Sequence, residues 1–109
     1  MVTVDEFRQQ VFDAVERSPL CDNAVITLWE KRRIKIHVDL YVGGFIEAFY
    51  NQETDTTAYA LVMNEERVLG ADNTGGWHYH PFNRPSEHVA SSAPVPFAEF
   101  LDEVERCLS

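Results

Sequence analysis

The stretch Arg33-Ile34-Lys35-Ile36-His37-Val38-Asp39-Leu40 decides the fold. Ile34, Ile36, Val38 and Leu40 alternate with Lys35, His37 and Asp39. Successive side chains of a strand point to opposite faces, so this alternation predicts a strand with one face on a core and one in water. On its N-terminal side, residues 24–30 are apolar and β-branched and read as a second extended segment, with Lys31-Arg32 at a bend or bulge. On its C-terminal side, Gly43-Gly44 turns the chain into a strand over residues 45–50. A polar turn over 51–56 leads to a strand over 57–63, and Asn64-Glu65-Glu66 turns into a strand over 67–71. Connections this short favour antiparallel neighbours, which predicts a twisted meander of four to five strands.

Helical patterns flank the meander. Thr3 is placed to cap a helix, with Glu6 three residues on completing a capping box. Val4, Phe7, Val11, Ala14 and Val15 then recur at helical spacing until Ser18-Pro19, where the residue before proline leaves the helical region. Near the C-terminus, Phe97, Phe100, Leu101, Val104 and Leu108 form an apolar stripe, and Pro96 suits a first helical position. The expected architecture is α+β, one domain over residues 1–109, with an N-terminal and a C-terminal helix packed on the sheet. A chain of 109 residues holds one core, not two.

Composition narrows the function. No apolar run approaches the roughly 20 residues that span a bilayer, and no basic, then apolar, leader opens the chain, so the expected address is the cytoplasm. The two cysteines, Cys21 and Cys107, match no metal or redox spacing and read as free thiols. The formal net charge is −9, which argues against nonspecific nucleic-acid binding through bulk charge. Residues 67–90 carry no net charge, unlike the acidic remainder. The cluster Lys31-Arg32-Arg33 with Lys35 reads as an exposed bend, or as a phosphate track along a strand.

That neutral segment holds Asp72-Asn73-Thr74-Gly75-Gly76-Trp77-His78-Tyr79-His80-Pro81, then Arg84-Pro85 and His88. Three of the four histidines fall within it. Histidine transfers protons near neutral pH and is the commonest metal ligand. If residues 77–81 are extended, His78 and His80 share a face about 7 Å apart at the backbone. Gly75 and Gly76 allow close approach to a ligand, Asn73 and Trp77 stand beside them, and Arg67 and Arg84 are the nearest phosphate-holding groups. Three readings stay open. One is metal-free acid–base chemistry on RNA, with one histidine taking the 2′-hydroxyl proton, another protonating the leaving oxygen and an arginine on the phosphate. The second is a zinc or other divalent-metal site of His78, His80, His88 and Asp72. The third is structural, with Trp77, Tyr79, Phe82 and the prolines filling the edge of the core and the histidines satisfying backbone carbonyls.

The order of these features resembles a known family. A glycine-turn hairpin (Gly43-Gly44-Phe45-Ile46-Glu47-Ala48-Phe49) precedes an arginine-led strand (Arg67-Val68-Leu69) and then Asp72-Asn73. His78-Tyr79-His80 follows, then Pro85, His88 and an amphipathic helix beginning Phe97-Ala98-Glu99-Phe100. Over roughly residues 33–108 this is similar to the TumE-type toxins of prokaryotic type II toxin–antitoxin systems. The resemblance implies a growth-inhibiting toxin acting on RNA without a cofactor and neutralised by an antitoxin protein. It implies catalytic roles for Arg67, Asp72, His78, His80 and His88. Asn73, Gly75, Gly76, Trp77 and Arg84 are the expected substrate contacts. An open sheet edge in so short a chain also allows pairing with a second copy, giving a homodimer.

Overall fold

The computed structural model describes residues 2–84 and 86–109. Helix α1 (Val4–Arg17) is followed by strands β1 (Cys21–Trp29), β2 (Arg33–Leu40), β3 (Phe45–Asn51), β4 (Thr56–Met63), β5 (Glu66–Asp72), β6 (His78–His80) and β7 (Val89–Ala90), and then by helix α2 (Phe97–Leu108). The strands form one antiparallel sheet in sequence order. The α+β class, both helices and the meander stand as expected. The strand count does not: there are seven strands, not four to five. The two additional strands are three and two residues long. Both lie inside the histidine segment, where no run is long enough to display a period of two.

Local chemistry explains the elements. The Thr3 hydroxyl accepts from the Glu6 N–H at 3.1 Å, and the Glu6 carboxylate accepts from the Thr3 N–H at 3.0 Å, closing the capping box of α1. Ser18 leaves the helix with φ −96° and ψ 127°, as its position before Pro19 requires. Helix α2 starts one residue later than the sequence suggests, because Pro96 has ψ 158° and lies outside it as the capping residue. At the β2–β3 turn Gly44 has φ +76°, and a Cβ there would lie 2.5 Å from the Val62 carbonyl oxygen, so no other residue fits.

The alternating side chains of β2 divide as read: Ile34, Ile36, Val38 and Leu40 are buried, while Lys35, His37 and Asp39 are half-buried on the other face. Ile46 and Ala48 of β3, Tyr59 and Leu61 of β4 and Leu69 and Ala71 of β5 continue the inner face. Phe7 and Val11 of α1 and Phe97, Phe100 and Val104 of α2 close over it. Each fully buried aliphatic or aromatic side chain contributes about 1.5–3 kcal/mol relative to exposure. Both helices therefore cover one face of the sheet. The opposite face carries Asp72 and the histidine cluster. No helix among the described residues is long and apolar enough to cross a membrane.

Candidate metal centre

Register builds the site. Asp72 of β5 lies opposite His78 of β6, and Gly70 lies opposite His80. Tyr79 pairs with Val89 and His78 with Ala90, which brings His88, immediately before β7, alongside His80. Directly paired residues of an antiparallel sheet share a face. Asp72, His78, His80 and His88 thus meet on the face that the helices leave open. The ring centroids are 5.0 Å apart for His78 and His80, 5.0 Å for His78 and His88, and 4.5 Å for His80 and His88. One nitrogen from each ring lies within 4.8 Å of the other two.

Glycine makes room for this cluster. A Cβ on Gly70 would lie 3.2 Å from the Tyr59 carbonyl oxygen and 3.4 Å from His80 Cδ2. His80 folds down over Gly70 and is only 6% exposed. His78 is half-buried and His88 exposed, so the three rings run from the sheet surface to solvent.

Asp72 bears on two of the three rings. Its Oδ2 lies 3.1 Å from His80 Nε2 and its Oδ1 lies 3.4 Å from His78 Nε2. Oδ1 also accepts the Thr74 N–H at 3.0 Å, which fixes the carboxylate through a local turn. Burial pushes the Asp72 carboxyl up, but the Thr74 N–H, the His80 hydrogen bond and the charges of His78 and His80 outweigh it and hold it below the usual range.

One tautomer follows from the geometry. His78 Nδ1 lies 3.0 Å from the Gly76 carbonyl oxygen. A carbonyl only accepts, so Nδ1 carries the proton. In neutral His78 the lone pair is then on Nε2, the nitrogen that faces Asp72. A lone pair facing a carboxylate is repulsive until a cation, proton or metal, stands between them. A ligating histidine is commonly held this way, with one nitrogen on a backbone carbonyl and the other on the metal.

The remaining candidates divide. The Arg67 Cδ lies 3.5 Å from where a Gly70 Cβ would stand, on the same glycine that His80 covers. Asn73 is an anchor for β4: its Oδ1 accepts from the Thr57 N–H at 2.9 Å and its Nδ2 donates to the Asp55 carbonyl at 2.7 Å. Gly75 and Gly76 form the turn between β5 and β6 with φ +71° and +105°. Trp77 faces the helices and stacks on Tyr59 with centroids 6.2 Å apart. Arg84 pairs with Glu87 at 3.1 Å and borders a cavity with Tyr79 and α2, on the side away from the histidines. Pro85 lies outside the described residues. The sequence reading missed Gly70, whose signal was a glycine inside a strand, where a close approach is the usual reason. No family model, curated protein or solved structure matches the chain.

Proposed function

We propose that this protein binds a divalent metal ion, zinc for preference, through His78, His80 and His88, with Asp72 as the fourth ligand. The observation that supports it most is the contact of His78 Nδ1 with the Gly76 carbonyl oxygen, from which the tautomer is inferred. Its Nδ1–H is held by the Gly76 carbonyl, and its Nε2 is left facing a carboxylate. His80 Nε2 faces that same carboxylate. One divalent ion among them satisfies the converging nitrogens and the oxygen together.

The donor set suits zinc, which takes three nitrogens and an oxygen in a tetrahedron. Tetrahedral zinc holds its nitrogens about 3.3 Å apart, from Zn–N bonds near 2.0–2.1 Å. The present separations of up to 4.8 Å close by side-chain rotation, chiefly of exposed His88. Four protein ligands leave no open position, so the ion would fasten β5, β6 and the start of β7 together. Tag-free protein is expected to take up one equivalent of cobalt(II) with the absorption of a tetrahedral site. His88→Ala is expected to lose that spectrum. An octahedral spectrum, or full binding by His88→Ala, would contradict the proposal.

The second reading is a TumE-type toxin that cleaves RNA by acid–base chemistry. It draws on the Arg67, Asp72-Asn73 and His78-Tyr79-His80 order and on the contact between Asp72 and His80, which would orient that imidazole as a base. His78 would then be the acid, His88 would support it and Arg67 would hold the phosphate. Expression in a bacterial host with and without a co-expressed antitoxin tests it. Growth arrest that survives chelation, and is lost in His78→Ala and His80→Ala, would favour this reading over the metal.

A further inference from the structure

We propose that the groove behind the histidine strands binds a small organic ammonium ion carrying an aromatic or alkyl body. Alternation along β6 and β7 creates it. Tyr79 stands between His78 and His80 and faces the other way, and Val89 does so beside His88. With Leu69 and Phe82 they floor a cavity of about 780 Å³ walled by α2. That is within the size range of small-molecule sites. Val89 is 53% exposed although it is apolar and in a strand, so the floor is open at that end.

The rim sets the charge of the occupant. Arg106 pairs with Glu103, and Arg84 pairs with Glu87. Glu99 and Asp102, three apart on one face of α2, remain without an ion pair among the described residues. Burial pushes the Tyr79 hydroxyl up, and Glu99 adds to this while Arg106 opposes it, so both side chains stand near that hydroxyl. An apolar floor with two aromatic rings, beneath a rim whose carboxylates outnumber its arginines, complements a hydrophobic cation through its body, its charge and the ring faces. It disfavours a neutral isostere and repels an anion. The lining residues are not those of the histidine cluster, which lies on the opposite face.

Phenethylammonium, phenethyl alcohol and phenylacetate separate these contributions. Titrated into metal-free, tag-free protein, phenethylammonium is expected to shift the amide resonances of Leu69, Tyr79, Val89 and Glu99 saturably. Phenethyl alcohol is expected to bind about fivefold more weakly, as loss of exposed ion pairing implies, and phenylacetate not at all. The Glu99→Gln/Asp102→Asn double variant should weaken the ammonium to the level of the alcohol. Val89→Thr should weaken both. Equal affinity for ammonium and alcohol, unchanged affinity in the double variant, shifts confined to the histidine face, or no saturable shift would each overturn the proposal. Circular dichroism confirms that the variants, all at exposed positions, remain folded.

Discussion

Strands β2–β4 and strands β5–β7 belong to one sheet but are held together differently. The first group has strands of seven or eight residues in register, with both helices closed over the inner face. The last two strands of the second group have three and two residues, and three imidazoles converge there, two of them against the Asp72 carboxylate. Apolar burial is non-directional and holds the first group whatever the pH or ionic content. The second group shares that core through Leu69 and Ala71, but towards its edge only Trp77, Tyr79 and Phe82 pack against it, partly buried, and the polar cluster adds a contribution that depends on its protons or on an ion. Local stability is uneven in proteins, and short edge strands with solvent-exposed hydrogen bonds lie at its low end. The β6–β7 edge should therefore respond to metal, while the β2–β4 centre should not.

The largest effect expected is on the centre. Phe100 is fully buried beside Tyr59, with ring centroids 5.1 Å apart. Phe100→Ala should cost about 3–5 kcal/mol of unfolding free energy by denaturant titration. Added zinc should restore only part of it, since the lost contacts lie in the other half of the sheet.

His80→Ala should do the reverse. Zinc affinity should fall by more than the 10–100-fold that loss of a residue merely supporting a ligand produces, measured by competition with a chromophoric chelator. The metal-free fold should remain, by circular dichroism. Global unfolding of the metal-free variant would make His80 a core residue first and a ligand second.

Gly70→Ala joins the two halves. The new methyl group would press on the Tyr59 carbonyl and on His80, forcing shifts of a few tenths of an ångström. A loss of about 1–3 kcal/mol is expected, as for other overpacked sites, together with weakened metal binding. Unchanged metal binding would show that His80 can tilt away without leaving the site.

The smallest effect is on the acid limb of stability. The Asp72 carboxyl is held below the usual value in the folded chain. A depressed folded value contributes stability that is present above the unfolded value of about 3.9 and disappears as pH falls through the folded one. Asp72→Asn should flatten the stability curve below about pH 4 in metal-free protein. An unchanged acid limb would place the shift in local geometry without linkage to folding.

The regular half was legible in the sequence because its signals are redundant. Ile34 to Leu40 alternate over a full strand, Gly43-Gly44 marks the turn, and Thr3 with Glu6 marks the first helix. The edge was legible only in composition. His78-Tyr79-His80 is too short to declare its period, so β6 and β7 read as loop. Which residues met there depended on a register set by the pairing of Gly70 with His80, and local sequence does not encode that pairing. Trp77 and Arg84 looked like neighbours of the histidines because they are close in sequence, yet both serve the other face. Asn73 looked like a ligand contact because it follows Asp72, and its amide instead ties β5 to the start of β4.

The most direct measurement is nitrogen-15 NMR of the imidazole rings as zinc is added to tag-free protein. His78, His80 and His88 are expected to shift together, reach their end point at one equivalent, and leave His37 unmoved, with His78 bound through Nε2 and its Nδ1 still protonated. Absence of any shift, binding confined to His37, or titration of the three rings by pH alone with no response to zinc would contradict a metal centre at this edge.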